Sequence, residues 1–244
     1  QLDEFMNFYK KFYIPNNATL SIAGDIDAAA TKELVEAYFG TIPAGTPVVQ
    51  PTVEEPALGG EKSLTVYDNI QLPAVMMGYR MPPQTSDDAY ALQMASTVLS
   101  GGPSSRMYKR LVDQDQTALQ VFAFPFTLEQ GGAFITFSLA NAGKGIDDMT
   151  PALEEEIEKL QTELISEREF EKIQNQMESG FIQSNSTMAG IAESLADYHT
   201  YYGDANLINT ELARYQKVTR EDIQRVAQKY LVQDNRVVLK YLPK

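Results

Sequence analysis

The sequence predicts an α+β fold, a mostly antiparallel sheet with helices packed on one face. Strand-like runs come in pairs, Ser63 to Tyr67 with Ala74 to Arg80 and Ala118 to Phe124 with Ala133 to Leu139. Apolar residues at helical spacing then dominate from Leu153 to Leu231. A final strand-like run, Arg236 to Tyr241, closes the chain.

The elements follow in order. Leu2, Phe5, Met6, Tyr9 and Phe12 recur at helical intervals, and Pro15-Asn16-Asn17 ends that helix. Ala18 to Ala23 reads as a strand, and Gly24-Asp25-Ile26-Asp27 turns into a helix bearing Leu34, Val35, Tyr38 and Phe39. The stretch around Pro43, Gly45, Pro47, Pro51, Pro56, Gly59 and Gly60 reads as a linker, placed at 46–60. After the first strand pair, Asp87 and Asp88 sit where an N-cap belongs, ahead of a helix with Leu92, Ala95, Val98 and Leu99. A short helix is expected from Arg106 to Val112, beyond the Gly101-Gly102-Pro103 break. Gly131-Gly132 turns the second strand pair. Leu153, Ile157, Leu160 and Leu164 form one helical stripe. Ser166 and Glu169 then form a capping box for a long helix towards Tyr202, and Thr219 caps a last one. The division expected is 1–45, 46–60 and 61–244. The first piece is too small to bury its own apolar face and so belongs to a neighbouring domain.

Composition limits function. The 244 residues suit one large domain, and with 43% hydrophobic residues they can bury a core. The balance of 20 basic against 33 acidic residues, net −13, argues against nucleic acid and anionic membrane surfaces as partners. Such charge mainly keeps a domain soluble. With no cysteine there are no disulfides, thiolate nucleophiles or Cys-based zinc sites. No apolar run approaches the ~20 residues that span a bilayer. Gln1 opens directly into an amphipathic segment, with neither initiator Met nor signal peptide, so the chain reads as a piece of something longer.

Little chemistry is visible. A zinc centre of the usual peptidase kind needs two His and a carboxylate, and this chain has one histidine, His199, among tyrosines. It reads as a packing or hydrogen-bonding residue. No Gly-x-Ser-x-Gly elbow lifts a serine. Glu154-Glu155-Glu156 complements a helix dipole. Gly101 to Arg106 lacks the Gly-Lys-Ser/Thr ending of a phosphate loop. The remaining Tyr and Phe residues recur at core spacings. No catalytic or metal-ligating residue is therefore assigned.

Three stretches together resemble the insulinase/pitrilysin family of zinc peptidases. The first runs from Phe8-Tyr9 through Tyr13-Ile14-Pro15-Asn16-Asn17-Ala18 to Gly24-Asp25-Ile26-Asp27, with Tyr38-Phe39-Gly40-Thr41-Ile42-Pro43 following. The second is Leu99-Ser100-Gly101-Gly102-Pro103-Ser104-Ser105-Arg106-Met107-Tyr108. The third is Tyr215 with Val218-Thr219 through Val226-Ala227-Gln228-Lys229-Tyr230-Leu231, ending in Leu242-Pro243-Lys244. They stand in the family's order over nearly the whole chain.

The resemblance implies duplicated metallopeptidase-type domains forming half of a chamber around peptide substrates, facing a homologous domain or sister subunit. Residues 1–45 would end a preceding zinc-binding-type domain, and 61–244 would be the inactive-type domain. Zinc would belong to the parent protein, upstream of Gln1, and no cofactor to this chain. Ser104, Ser105 and Arg106 would line the chamber. Where many members carry an Arg and a Tyr that steady the oxyanion, the register here reads Val112 and Leu119, neither of which donates a hydrogen bond. This chain alone is expected to cleave nothing, the parent borrowing Arg and Tyr from a sister. The alternative implied is a non-catalytic scaffold subunit. A bacterial periplasmic or cell-envelope location follows from the family, with the cytoplasm an alternative.

Overall fold

A computed structural model describes residues 1–49 and 55–244. Residues 50–54, inside the expected linker, lie outside the described residues. The chain divides into two compact units, one from Glu55–Ser179 with Glu211–Lys244, the other from Gln1–Glu54 with Gly180–Thr210.

The first unit is built on a five-stranded sheet of β1 (Lys62–Asp68), β2 (Ala74–Met81), β3 (Ala118–Phe126), β4 (Gly132–Ala140) and β5 (Arg236–Pro243), in the order β1-β5-β2-β4-β3. Every ladder is antiparallel except β1 with β5. Helices α3 (Asp87–Ser100), α4 (Ile146–Thr162) and α8 (Arg220–Tyr230) pack on the strands and on one another, as the expected α+β fold requires. The α3 cap differs from expectation: Ser86 is the N-cap, its Oγ accepting from the Asp88 N–H at 3.3 Å. Asp87 and Asp88 instead occupy the first turn, where their charge meets the positive end of the helix. The expected helix at Arg106 to Val112 is a π-helical segment, Tyr108–Gln114. It ends before Gln116, whose φ of 52° is left-handed without being glycine.

Alternation along the strands sorts two faces. Met77, Tyr79, Phe134, Thr136 and Ser138 point into the helix-covered core with Leu92, Leu99, Leu111, Leu153 and Val226. Arg236, 8% exposed, joins β5 to its surroundings through this core. Its Nε donates to Glu61 Oε2 at 2.6 Å, one terminal nitrogen donates to Glu154, and the other lies 3.4 Å from the Tyr79 hydroxyl. Burial pushes the Tyr79 phenol pKa up, so the ring remains a neutral partner for the cation.

A second ion cluster ties α3 to α8. Asp88 accepts from Arg225 at 2.7 Å, Lys229 at 3.0 Å and the Tyr230 hydroxyl at 2.8 Å. Burial alone would raise its pKa, but these three donors bring it down to about 2 from 3.8. A depressed carboxylate contributes stability that is complete above its unfolded pKa and lost as pH falls through its folded one. The cluster is partly solvated, so its contribution is discounted to ~1 kcal/mol. Urea titrations are expected to show Asp88→Asn about 1 kcal/mol less stable than the parent at pH 6, the gap closing as pH drops from about 4 to about 2. A gap independent of pH would contradict this.

The second unit holds α1 (Leu2–Phe12), a 3-10 turn (Pro15–Asn17), α2 (Ala28–Phe39), the end of α5 (Glu167–Ser184), α6 (Met188–Asp197), a π-helical turn (Tyr198–Tyr202) and the start of α7 (Leu207–Lys217). The single long helix expected towards Tyr202 is thus broken. Asn185 and Ser186 leave the helix, and the Thr187 side chain caps α6 by accepting from the Gly190 N–H at 3.1 Å. The capping box is half made: Ser166 Oγ accepts from the Glu169 N–H, while the Glu169 carboxylate is engaged by Arg106.

Ala18 to Ala23, expected as a strand, forms no ladder among the described residues. Its backbone is extended at Ala18 (φ −130°, ψ 140°), and Leu20 and Ile22 are exposed. A strand needs a neighbour to bond, and no described strand runs beside it.

The local geometry here repeats that of the other unit's end. At one constant displacement, α1 corresponds to α8, Pro15–Asn17 to the 3-10 turn Gln233–Asn235, and Ala18 to Arg236, the first residue of β5. The hydrogen bonds correspond as well. Asn17 Nδ2 donates to the Phe12 carbonyl at 2.9 Å, and Asn235 Nδ2 donates to the Tyr230 carbonyl at 2.8 Å. The Tyr13 N–H reaches the Tyr9 carbonyl as the Leu231 N–H reaches that of Ala227.

Candidate functional site

The feature that stands out is the sheet face turned away from the helices. The ladder registers place Leu64, Leu239, Met76, Phe137 and Phe122 side by side in one row across all five strands. A neighbouring row runs Val237, Gly78, Ile135 and Phe124, and Phe126 extends the edge. Phe122, Phe124 and Phe126 are 47%, 43% and 53% exposed. Phe122 and Phe137 stack with centroids 6.3 Å apart. The expectation that the remaining aromatics serve the core is therefore wrong for β3. Its aromatics stand on the open side, and Val121 and Ala123 fill the covered one. Strict alternation was visible in the sequence, but period two is symmetric between faces. Small residues suffice on the covered side because α3 lies close against β3.

The Gly101 to Arg106 turn follows α3. Ser105 is buried, its Oγ donating to the Gly102 carbonyl at 2.6 Å. Arg106 forms a two-pronged pair with Glu169 of α5, at 3.0 and 2.8 Å. Burial works against the charged guanidinium, yet the Glu169 carboxylate outweighs it and the pKa of Arg106 is raised. Ser104 is exposed, and its Oγ accepts from Lys172 Nζ at 3.0 Å. Of the three residues, then, two are turned inward and one outward.

Val112 lies in the π-helical segment, half-buried against the core. Leu119 stands on β3, 51% exposed, beside the register irregularity between Ala118 and Gln120. Neither side chain carries a polar atom. His199 is exposed on its π-helical turn. Among the described residues no group of three or more His, Asp or Glu side chains could hold a metal ion. The described residues therefore assemble no zinc site of the usual peptidase kind. No described helix is long and apolar enough to cross a membrane.

The profile of the family described as the peptidase M16 inactive domain matches residues 1–177. The chain belongs to the peptidase M16 inactive-domain family. Among its relatives, the inactive domain is 25% identical over 232 residues to zinc protease PqqE of Helicobacter pylori, covering 94% of this chain and 52% of that protein. It is 24% identical to an uncharacterized zinc protease, ML0855, of Mycobacterium leprae, over 92% of this chain and 51% of that one. It thus spans about half the length of these relatives. The crystal structure of a protease from Helicobacter pylori matches with TM-score 0.93 and 24% identity, over 100% of this chain and 59% of that one. The M16 inactive domain from Pseudomonas fluorescens matches with TM-score 0.84 and 14% identity, over 100% of this chain and 57% of that one. These likenesses carry the fold.

Proposed function

We propose that this inactive domain is the non-metal-binding part of a zinc peptidase subunit, and that its open sheet face is one wall of an enclosure for peptide substrates. The observation that carries the reading is the uninterrupted apolar row from Leu64 to Phe122 on a face no helix of that unit covers. In a chain of net charge −13, exposed aromatics at alternate positions suit extended, apolar peptide segments. Support comes from the relatives named zinc proteases, about twice as long as this chain. In the parent, zinc would be held outside this chain, and a homologous domain or sister subunit would face the wall. Ser104 is the member of its trio open to a peptide, and Ser105 and Arg106 hold the turn that presents it. The repeated helix, 3-10 turn and extended segment support a duplicated architecture, with residues 1–45 ending the preceding domain and Ala18 to Ala23 its counterpart of β5. One structural relative is a periplasmic protease of Escherichia coli, which fits a cell-envelope location.

The replacement of Arg and Tyr by Val112 and Leu119 favours a second reading, a scaffold subunit. The test is site-specific photo-crosslinking from Phe122 and Phe137, with Glu171 on α5 as control, using an unfolded apolar peptide. Adducts from the two sheet positions and none from the control are expected. Equal labelling at all three sites would remove the wall. Adding the zinc-bearing half together with a sister domain that carries the Arg and Tyr, and assaying peptide cleavage, separates wall from scaffold, because only the wall reading expects turnover that depends on this chain.

A further inference from the structure

The two edges of the sheet are built differently. On β3, the Ser100 hydroxyl sits between the N–H and C=O of Ala123, accepting from the one at 2.7 Å and donating to the other at 2.9 Å. Ala123 therefore turns its backbone to the outer edge, and by alternation Pro125 does too, where it has no N–H to offer. The register irregularity between Ala118 and Gln120 breaks the same edge further along. A capped residue, a proline and a bulge are the devices that stop one strand edge from recruiting another.

β1 has none of these. It is seven residues long, stands at the opposite end of the sheet, and is exposed along nearly all of its length. Its outward groups can be identified. The Asp68 carbonyl accepts from the Lys244 N–H at 3.0 Å, so Asp68 turns its backbone towards β5. By alternation Val66, Leu64 and Lys62 do the same, and Ser63, Thr65 and Tyr67 present their N–H and C=O groups to the open edge.

We propose that this edge pairs with β1 of a second copy of the chain, antiparallel, about a two-fold axis through Thr65. In that register Thr65 faces Thr65 of the second copy, and Ser63 faces Tyr67. Every outward N–H and C=O of the three residues then meets an outward partner, which a shift of two residues in either direction would undo. The side chains agree with the backbone. Lys62 falls opposite Asp68 at both ends of the pair, Leu64 opposite Val66, and Thr65 opposite Thr65, each a favourable cross-strand combination. Both Asp68 oxygens already accept one bond each, from the Asn69 N–H and the Tyr241 hydroxyl, and a carboxylate has room for a further donor. The joint is isologous, edge to edge, and joins two five-stranded sheets into one of ten with the apolar row continuing across the axis. It is independent of the face-on arrangement proposed for substrate enclosure.

A chain without cysteine makes the test direct, since an introduced thiol is the only one present. Directly opposed residues in a hydrogen-bonded antiparallel pair have Cα atoms about 5.5 Å apart, within disulfide range. Under mild oxidation Thr65→Cys is expected to give a covalent dimer. Lys62→Cys, opposite Asp68 rather than itself, is expected to stay monomeric, and Ser63→Cys mixed with Tyr67→Cys to cross-link only as the mixture. Sedimentation of the unmodified chain at ~100 µM, a range suited to a small interface, is expected to show dimer. Lys62→Glu should shift it to monomer, and Lys62→Asp with Asp68→Lys should restore it, with circular dichroism confirming the fold each time. A chain that stays monomeric, or one whose Lys62→Cys form cross-links as well as its Thr65→Cys form, overturns the proposal.

Discussion

Replacing Arg236 with methionine is expected to lower the unfolding free energy by about 2–3 kcal/mol. Methionine keeps most of the apolar stem, so the loss isolates the charge and its hydrogen bonds. Glu61 and Glu154, which the guanidinium holds together beside the buried Tyr79, would face each other without a cation. Both carboxylates are partly solvated, which keeps the cost below the ~3–5 kcal/mol of a fully buried pair broken on one side. For a chain of this size the melting temperature should fall by roughly 5–10 °C. Adding Glu61→Gln and Glu154→Gln to the methionine variant should recover most of the loss, because the uncompensated charge disappears. A melting temperature within a degree of the parent would show that the network contributes nothing.

Two phenylalanines on β4 should behave very differently. Phe134→Ala is expected to cost about 4 kcal/mol, since the ring is wholly inside the core and its removal leaves a cavity the surrounding helices cannot close. Phe137→Ala, three residues on and on the opposite face, should cost about 1 kcal/mol, because water already reaches the ring. The comparison bears on function as well as stability. If Phe137→Ala leaves the fold intact but weakens capture of apolar peptides, the open aromatics serve binding. Equal destabilisation by both substitutions, measured by urea titration, would place Phe137 in the core and remove the wall.

Much of this protein was legible residue by residue. The strand pairs at Ser63 to Tyr67 and Ala74 to Arg80, and at Ala118 to Phe124 and Ala133 to Leu139, fall inside the observed strands. Thr219 caps α8 as its spacing with Asp222 permits. Local signals of this kind survive folding because they act within a few residues. Where expectation failed, a distant partner had decided. Glu169 left its capping box to bind Arg106, 63 residues away in sequence. Ala18 to Ala23 has strand composition and is extended at Ala18, but no described strand runs beside it to bond. The aromatics of β3 alternated as a strand should, yet which side α3 would cover could not be read from β3 alone.

The sequence by itself determined the four strands of the two pairs and the closing strand, several of the helices, the absence of thiol chemistry, the paucity of histidine and the family to which the chain belongs, because composition, period and motif are local properties. Only the tertiary structure decided which sheet face stays open, which edge is plugged by Ser100 and which is left bare. It also decided that Ser105 and Arg106 support a turn while Ser104 meets solvent. Those are outcomes of packing between segments tens of residues apart, where the closest available surface, and not the local pattern, determines what is buried.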